Sequence, residues 1–391
     1  MTSIRVSKKC IDRMACGHLW VFDNEIRAID GHYINGAVVS VRDASGRFVA
    51  RGYINDKSKI TVRVLTFKDE PVDGPFLRKR ISDALQRRLR LGWMPSDSFR
   101  VLSSEGDRVP GLIIDKYKDI LSIQTLTLGM ERRKEEIVNI LMEVFSPSAI
   151  VERNDAGARK KEGLPQVKGF IHGNRRDVAA AFDGLEFSID LLDGHKTGFY
   201  LDQTENRRTI APYVRGGRVL DCFAYTGGFS VYSAKYGAKE IVALEDSGTV
   251  FERLKENIRL NAFDSLIQAE KGDAFRQLRE KLKRGERFDC VILDPPSFVK
   301  AKEAMAGAQR GYKDINLLGL KLLNEGGHLV TSSCSQNISP LMFTEILKSS
   351  ARDAGCVART VDVRSQARDH PILLGMPETH YLKFVVLQKA A

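Results

Sequence analysis

The sequence has no Cys-x-x-Cys pair, and its six cysteines, at 10, 16, 222, 290, 334 and 356, are scattered through 391 residues. That scatter excludes paired-cysteine zinc frameworks and a disulfide-stapled secreted scaffold. It predicts free thiols in a reducing cytoplasm, with no metal. Long apolar runs are missing too. The longest stretch free of Asp, Glu, Lys and Arg, Gly326 to Thr344, is rich in Gly, Ser and Asn and is no membrane span, so no membrane partner is expected. Arg5, Lys8, Lys9, Asp12 and Arg13 stand where a secretory leader needs an apolar segment. Internal repeats and low-complexity segments are absent as well.

What is present is an ordinary globular composition, 43% hydrophobic and 28% charged, over a length that predicts two or three domains. The formal charge of +11 is unevenly placed. Up to Arg176 there are 32 Lys and Arg against 22 Asp and Glu; from Asp177 onward there are 29 against 28. A basic half beside a neutral half suggests a polyanion-binding module joined to a catalytic one, the plain alternative being a solvated basic face. Residues 1–74 read as a small β-rich domain, with strands over Ala37 to Val41 and Lys59 to Leu65 and turn chemistry at Asp43-Ala-Ser-Gly46. Residues 75–185 read as a small mixed α/β domain. It opens with an amphipathic helix, Phe76 to Arg90, whose Leu77, Ile81, Leu85 and Leu89 share one face while arginines, Arg88 among them, fill the rest.

Over residues 186–391 short apolar runs alternate with helical stretches: Arg218 to Phe223, Glu240 to Glu245, Phe288 to Asp294 and Gly327 to Ser332, with a final strand at Tyr381 to Leu387. That rhythm predicts a parallel, doubly wound α/β sheet, whose ligands sit beyond the carboxyl ends of the strands. The first strand runs through Asp221 into a loop containing Gly227 and Gly228, where a backbone without Cβ atoms can approach a ligand. The loop is neither Gly-x-Gly-x-x-Gly nor Gly-x-x-x-x-Gly-Lys-Ser/Thr, which disfavours NAD and an ATP phosphate cradle. Glu245, with Asp246 beside it, ends the second strand where a carboxylate grips ribose hydroxyls. Asp273 follows the third strand and is placed to contact a purine edge. The competing task for each acid is to cap a helix.

Two motifs end the fourth and fifth strands, Asp294-Pro295-Pro296-Ser297-Phe298 and Thr331-Ser332-Ser333-Cys334-Ser335. Adjacent strands lie about 4.8 Å apart, so Asp294 and Cys334 could share a pocket. Pro295 and Pro296 force the chain out of the sheet and leave carbonyls that, with the Asp294 carboxylate, suit a base edge rich in donors. Cys222 and Cys290 read as core thiols. Cys334, at the sheet's end, is a nucleophile or a core thiol in equal measure on this ground alone.

Taken together the chain resembles the AdoMet-dependent RNA methyltransferases of the Rossmann-like class. More closely it resembles the bacterial large-subunit ribosomal RNA cytosine-C5 methyltransferases with an N-terminal PUA domain. The matching segments include Gly17 to Phe22, Pro110 to Asp115, Lys196 to Arg207, Asp221 to Ser230, Leu293 to Phe298, Arg310 to Leu318, Ser332 to Ser335 and Asp369 to Leu374. The resemblance implies a PUA-like RNA-binding barrel, a central α/β domain and a catalytic sheet in the order 3-2-1-4-5-7-6. It implies an AdoMet pocket lined by Asp221, Tyr225, Thr226, Gly227, Gly228 and Phe229, with Glu245 and Asp246 at the ribose, Asp273 and Ala274 at the adenine, and Gln203 as a further contact. Cys334 falls on the catalytic cysteine, Asp294 on its partner at the ring, and Pro295, Pro296 and Phe298 on the substrate side. The expected partner is ribosomal RNA, and a homodimer is admitted. Glu378, His380 or a water are the open choices for the C5-proton base. The alternatives are a uracil-C5 or exocyclic-amino RNA methyltransferase and, from another class, a non-catalytic RNA-binding protein.

Overall fold

The computed structural model describes residues 2–298 and 305–390, in two compact units. The first comprises the chain up to Ala180 with Ile189–Leu201 and Arg368–Thr379. The second comprises Ala181–Ser188, Asp202–Ala367 and the chain from His380 onward.

In the first unit β1 (Ser3–Val6), β2 (Trp20–Phe22), β3 (Ile26–Asp30), β4 (Val38–Arg42), β5 (Phe48–Ile54) and β6 (Ile60–Thr66) form a six-stranded sheet in the order β2-β6-β5-β4-β1-β3. β-Branched residues on one face, Val39, Val41, Val62 and Val64, pack with Ile4, Val6 and Met14 into its core. Asp43 closes the β4–β5 turn by accepting from the backbone N–H groups of Ser45 and Arg47 at 2.9 and 3.0 Å.

Helix Gly74–Arg90 starts where Asp73 accepts from the Phe76 N–H at 3.0 Å, with a proline in its first turn. Its buried stripe is Leu77, Ile81, Ala84 and Arg88, while Leu85 and Leu89 are only half-buried. This corrects the sequence reading of Arg88. That side chain is fully buried and donates to both carboxylate oxygens of Asp107, at 2.6 and 2.7 Å. Periodicity misplaced it because a paired guanidinium can occupy an apolar stripe that an unpaired one cannot. A second core joins this helix to helix Lys134–Phe145 through Leu77, Ile81, Ile137 and Leu141. Both lie on the sheet of β7 (Phe99–Ser103), β8 (Leu112–Tyr117), β9 (Ile120–Thr125), β10 (Ala149–Asn154) and β11 (Val167–His172), ordered β11-β10-β9-β8-β7. A two-stranded ribbon follows, β12 (Asp177–Phe182) and β13 (Leu185–Asp190).

The second unit holds β14 (Arg218–Cys222), β15 (Glu240–Glu245), β16 (Ile267–Lys271), β17 (Phe288–Leu293), β18 (Leu323–Ser333), β19 (Ala358–Arg364) and β20 (Lys383–Lys389). They form one sheet ordered β16-β15-β14-β17-β18-β20-β19, which is 3-2-1-4-5-7-6 counted along the chain. The first five run parallel, and β20 lies antiparallel to both β18 and β19. β19 escaped the apolar-run criterion because it is an edge strand with no fully buried residue. Helix Met305–Leu322 covers the sheet through Tyr312, Ile315 and Leu318, packed with Leu293 and Leu329. Among the described residues, no helix is long and apolar enough to cross a membrane.

Candidate active site

The parallel order brings the carboxyl ends of β14, β15, β17 and β18 to one edge, and the predicted residues gather there. Val219 to Cys222 pair with Cys290 to Leu293, and Leu293 pairs in turn with Thr331, so the Asp294 and Cys334 segments leave neighbouring strands together.

The β14 loop is held under backbone strain. Phe223 and Tyr225 have φ of 62° and 51°, and Gly227 has φ 90° at the start of helix Gly228–Lys235. Non-glycine residues in the left-handed region cluster at functional sites, because the surroundings must over-determine them. The Tyr225 N–H donates to Glu245 Oε2 at 2.9 Å and the Ser247 N–H to Oε1 at 2.9 Å, so Glu245 ties the two loops together while keeping lone pairs for further donors. Burial pushes its pKa up against those two bonds. Gly228 is glycine for a reason the sequence did not show: a Cβ there would stand 2.6 Å from Arg207 Nε. Arg207 is itself buried, with its guanidinium carbon 5.8 Å from the Phe229 ring centroid. Phe229 in turn stacks on Phe384 at 6.3 Å. Thr226 is buried, and its carbonyl accepts from Asn257 Nδ2 at 2.9 Å.

Asp221 is 1% exposed and accepts from Ser230 Oγ at 2.6 Å. Burial and the Asp294 charge push its carboxyl up to about 7, against the Ser230 hydrogen bonds and the charge of the buried Arg207, which pull it down. Two carboxylates that repel in a desolvated place favour a cation. AdoMet carries two, its sulfonium and its α-ammonium, so the residues present fit that cofactor.

Asp273 and Asp246 are exposed. Asp273 spends Oδ1 on the Arg276 N–H at 2.8 Å, so the capping task weighed against it is realised in helix Ala274–Lys283, and Ala274 is buried in its first turn. The preceding Gly272 N–H donates to the Glu245 carbonyl at 3.1 Å, which keeps this turn beside the ribose-side candidate.

Gln203 links the chemical centre. Its Nε2 donates to Asp294 Oδ1 at 2.9 Å and to Ser332 Oγ at 3.3 Å, while Asn206 Nδ2 holds its Oε1 at 2.7 Å. The carboxylate after β17 is thus joined to the strand that ends at Cys334. Pro295 is buried and Pro296 exposed. Phe298 packs 4.7 Å from Tyr312, whose hydroxyl meets Ser335 Oγ at 2.9 Å, and Ser297 Oγ lies 2.8 Å from the same atom. Cys222 and Cys290 are fully buried with thiols pushed up by burial, as core thiols should be, whereas Cys334 is only half-buried. Glu378 lies in the first unit, 3.6 Å from His18 Nε2. Burial lowers the His380 pKa and leaves a neutral imidazole more favoured. Arg207, Ser230 and Lys383 were not singled out from sequence. A lysine within the apolar run Tyr381 to Leu387 was the signal for the last.

This fold and edge define the class, an S-adenosylmethionine-dependent methyltransferase: residues 173–370 match that family, and residues 4–67 match the PUA-like domain. Within the class, the chain belongs to the family of ribosomal RNA large subunit methyltransferase I. It is 41% identical to that protein from Aeromonas salmonicida over 376 residues, covering 95% of each chain. It is 40% identical to the one from Vibrio cholerae, covering 94% of each. Among solved structures it resembles one assigned as a SAM-dependent methyltransferase from Streptococcus mutans, at TM-score 0.85 and 19% identity, covering 99% of this chain and 100% of that one. A methyltransferase complexed with SAH aligns with TM-score 0.86 at 19% identity, over 99% and 100% of the two chains.

Proposed function

We propose that this chain methylates C5 of a cytosine in large-subunit ribosomal RNA through a transient bond between Cys334 and C6. Residues 1–74 bind RNA as a PUA-like domain, 75–185 form a central α/β domain, and 186–391 carry the chemistry. The observation that carries the reading is the placement of the thiols. Of the four in or beside the sheet, Cys222 and Cys290 are sealed in its core; Cys356 is half-buried before the edge strand β19, and Cys334 stands half-buried beyond β18, next to the strand that delivers Asp294. The ribosomal substrate follows from relatives that match almost the whole chain.

When bound, AdoMet supplies an electrophilic methyl group on a sulfonium. Asp221, Tyr225 to Phe229, Glu245 and the turn at Asp273 and Ala274 hold it, with Asp246 at the rim. Cys334 as thiolate adds to C6 of the unstacked base, and the S–C6 bond leaves C5 enamine-like and nucleophilic. Asp294, oriented by Gln203, hydrogen-bonds the ring at N3, and Pro295, Pro296 and Phe298 shape the base pocket. After C5 takes the methyl group, a base removes its proton, the S–C6 electrons return to sulfur, and thiolate leaves. RNA containing 5-fluorocytosine tests this, because fluorine cannot depart as a proton: a covalent adduct is expected with the wild type and none with Cys334→Ala. Full turnover by Cys334→Ala would remove the nucleophile. Nucleoside mass spectrometry of ribosomal RNA from cells with and without the gene should show loss of 5-methylcytosine; loss of 5-methyluridine or an N-methylated base instead would replace the assignment.

A further inference from the structure

β20 runs antiparallel to β18 with Lys383 opposite Ser333, the residue before Cys334. Its side chain is 4% exposed, and Nζ donates to the carbonyls of Ser335 at 2.7 Å and Tyr381 at 2.8 Å. The ammonium therefore reaches across the Cys334 position to the residue beyond it. Among the described residues it meets no carboxylate. The other deeply buried cations differ: Arg63, Arg88, Arg100, Arg153, Arg159 and Lys281 pair with carboxylates, Lys116, also held by carbonyls, has Asp97 and Asp119 in electrostatic range, and Arg207 has Asp294, Asp202 and Asp221. A buried cation without an anion is costly, so its persistence calls for an anion that forms nearby in the working enzyme. Tyr312, whose hydroxyl meets Ser335 Oγ and not the carbonyl that Lys383 uses, is not that anion, because burial raises its pKa and keeps it neutral, and His380, in electrostatic range of Lys383, is a base that supplies no negative charge.

We propose that Lys383 is the positioning residue of the nucleophile, its ammonium stabilising the Cys334 thiolate before attack on C6 and again when that thiolate is expelled. The thiol proton goes to solvent, and Lys383 stays an ammonium throughout. Burial alone holds the Lys383 ammonium down, to about 8, and the Cys334 charge acts in the opposite direction, as an ion pair requires. This inference rests on the nucleophile reading above, yet its test does not depend on turnover.

The pH dependence of Cys334 alkylation by iodoacetamide, followed on the Cys334 peptide by mass spectrometry, reads the thiolate directly. In the wild type the midpoint is expected clearly below the ordinary thiol value of about 8.5. Lys383→Met should raise it by at least one unit, slowing alkylation at pH 7 about tenfold, and Lys383→Arg should restore most of it. AdoMet affinity, measured by calorimetry, should be unchanged in both. A wild-type midpoint at or above 8.5 would overturn the proposal without any variant, and so would an unshifted midpoint in Lys383→Met. Cys334→Ala that still methylates would sink the nucleophile reading instead, leaving the alkylation profile to judge Lys383 separately.

Discussion

Arg88 and Arg100 in the first unit, and Asp221 and Lys383 in the second, are all removed from water, at 0%, 9%, 1% and 4% exposure. The two arginines meet aspartates through paired N–H···O bonds of 2.6 to 2.7 Å, Arg88 on Asp107 and Arg100 on Asp115. Asp221 has a serine hydroxyl, and Lys383 has two carbonyls. Buried charge matched atom for atom fixes geometry and does nothing further. Buried charge matched only by dipoles retains the capacity to bind an ion, and Asp221 and Lys383 stand in one sheet, on the strands that also carry the candidate site. The basic surplus of the first half reads differently in this light: Arg63, Arg88, Arg100 and Arg159 are spent internally on Glu162, Asp107, Asp115 and Glu131. In the proposed function, contact with RNA falls to the cations that remain.

The comparison breaks most visibly at Arg88. Arg88→Met removes the fully buried partner of Asp107, leaves that carboxylate to the exposed Arg87 and the Ser103 N–H, and should lose about 3 kcal/mol in denaturant titration, the low end for a broken buried pair, while AdoMet affinity stays level. Asp221→Asn should do the reverse. The folded carboxyl, at about 7 against its ordinary 3.8, holds its proton more tightly than the unfolded one. Its contribution to stability is therefore full below pH 4 and lost as pH rises through 7. The variant should be more stable than the ligand-free wild type by roughly 2 to 4 kcal/mol at pH 8, with the gap closing toward pH 4, and should lose measurable AdoMet binding. A variant less stable at pH 8 would place Asp221 among the structural charges. Gly228→Ala presses a methyl onto Arg207 and is expected to lose about 1 to 3 kcal/mol and to weaken AdoMet binding. Asp273 gives the smallest effect. Asp273→Ala should lose about 1 kcal/mol through its cap, and Asp273→Asn should restore that stability, since asparagine caps as well. AdoMet affinity reduced in both variants would mark a cofactor contact beyond the cap; affinity restored with the stability would leave only the cap.

The apolar runs that end in Asp221, Glu245 and Leu293 announced parallel strands, and the residues directly after them gave the candidate site, because a buried strand must be apolar and its end is where polar groups reappear. β19 carried no such run, and Arg88 sat inside a helical stripe that counting apolar residues alone could not complete. By itself the sequence determined the alternating pattern of the second unit, the chemical types at its strand ends and the core placement of Cys222 and Cys290, since burial selects residue type position by position. Only the tertiary structure decided that Gln203 spans from Asp294 to Ser332, that Gly228 yields its space to Arg207, and that Lys383 reaches past Cys334. Those relations join positions up to 129 residues apart, and a bond of about 3 Å between such distant points exists only after the sheet has brought its strands into register.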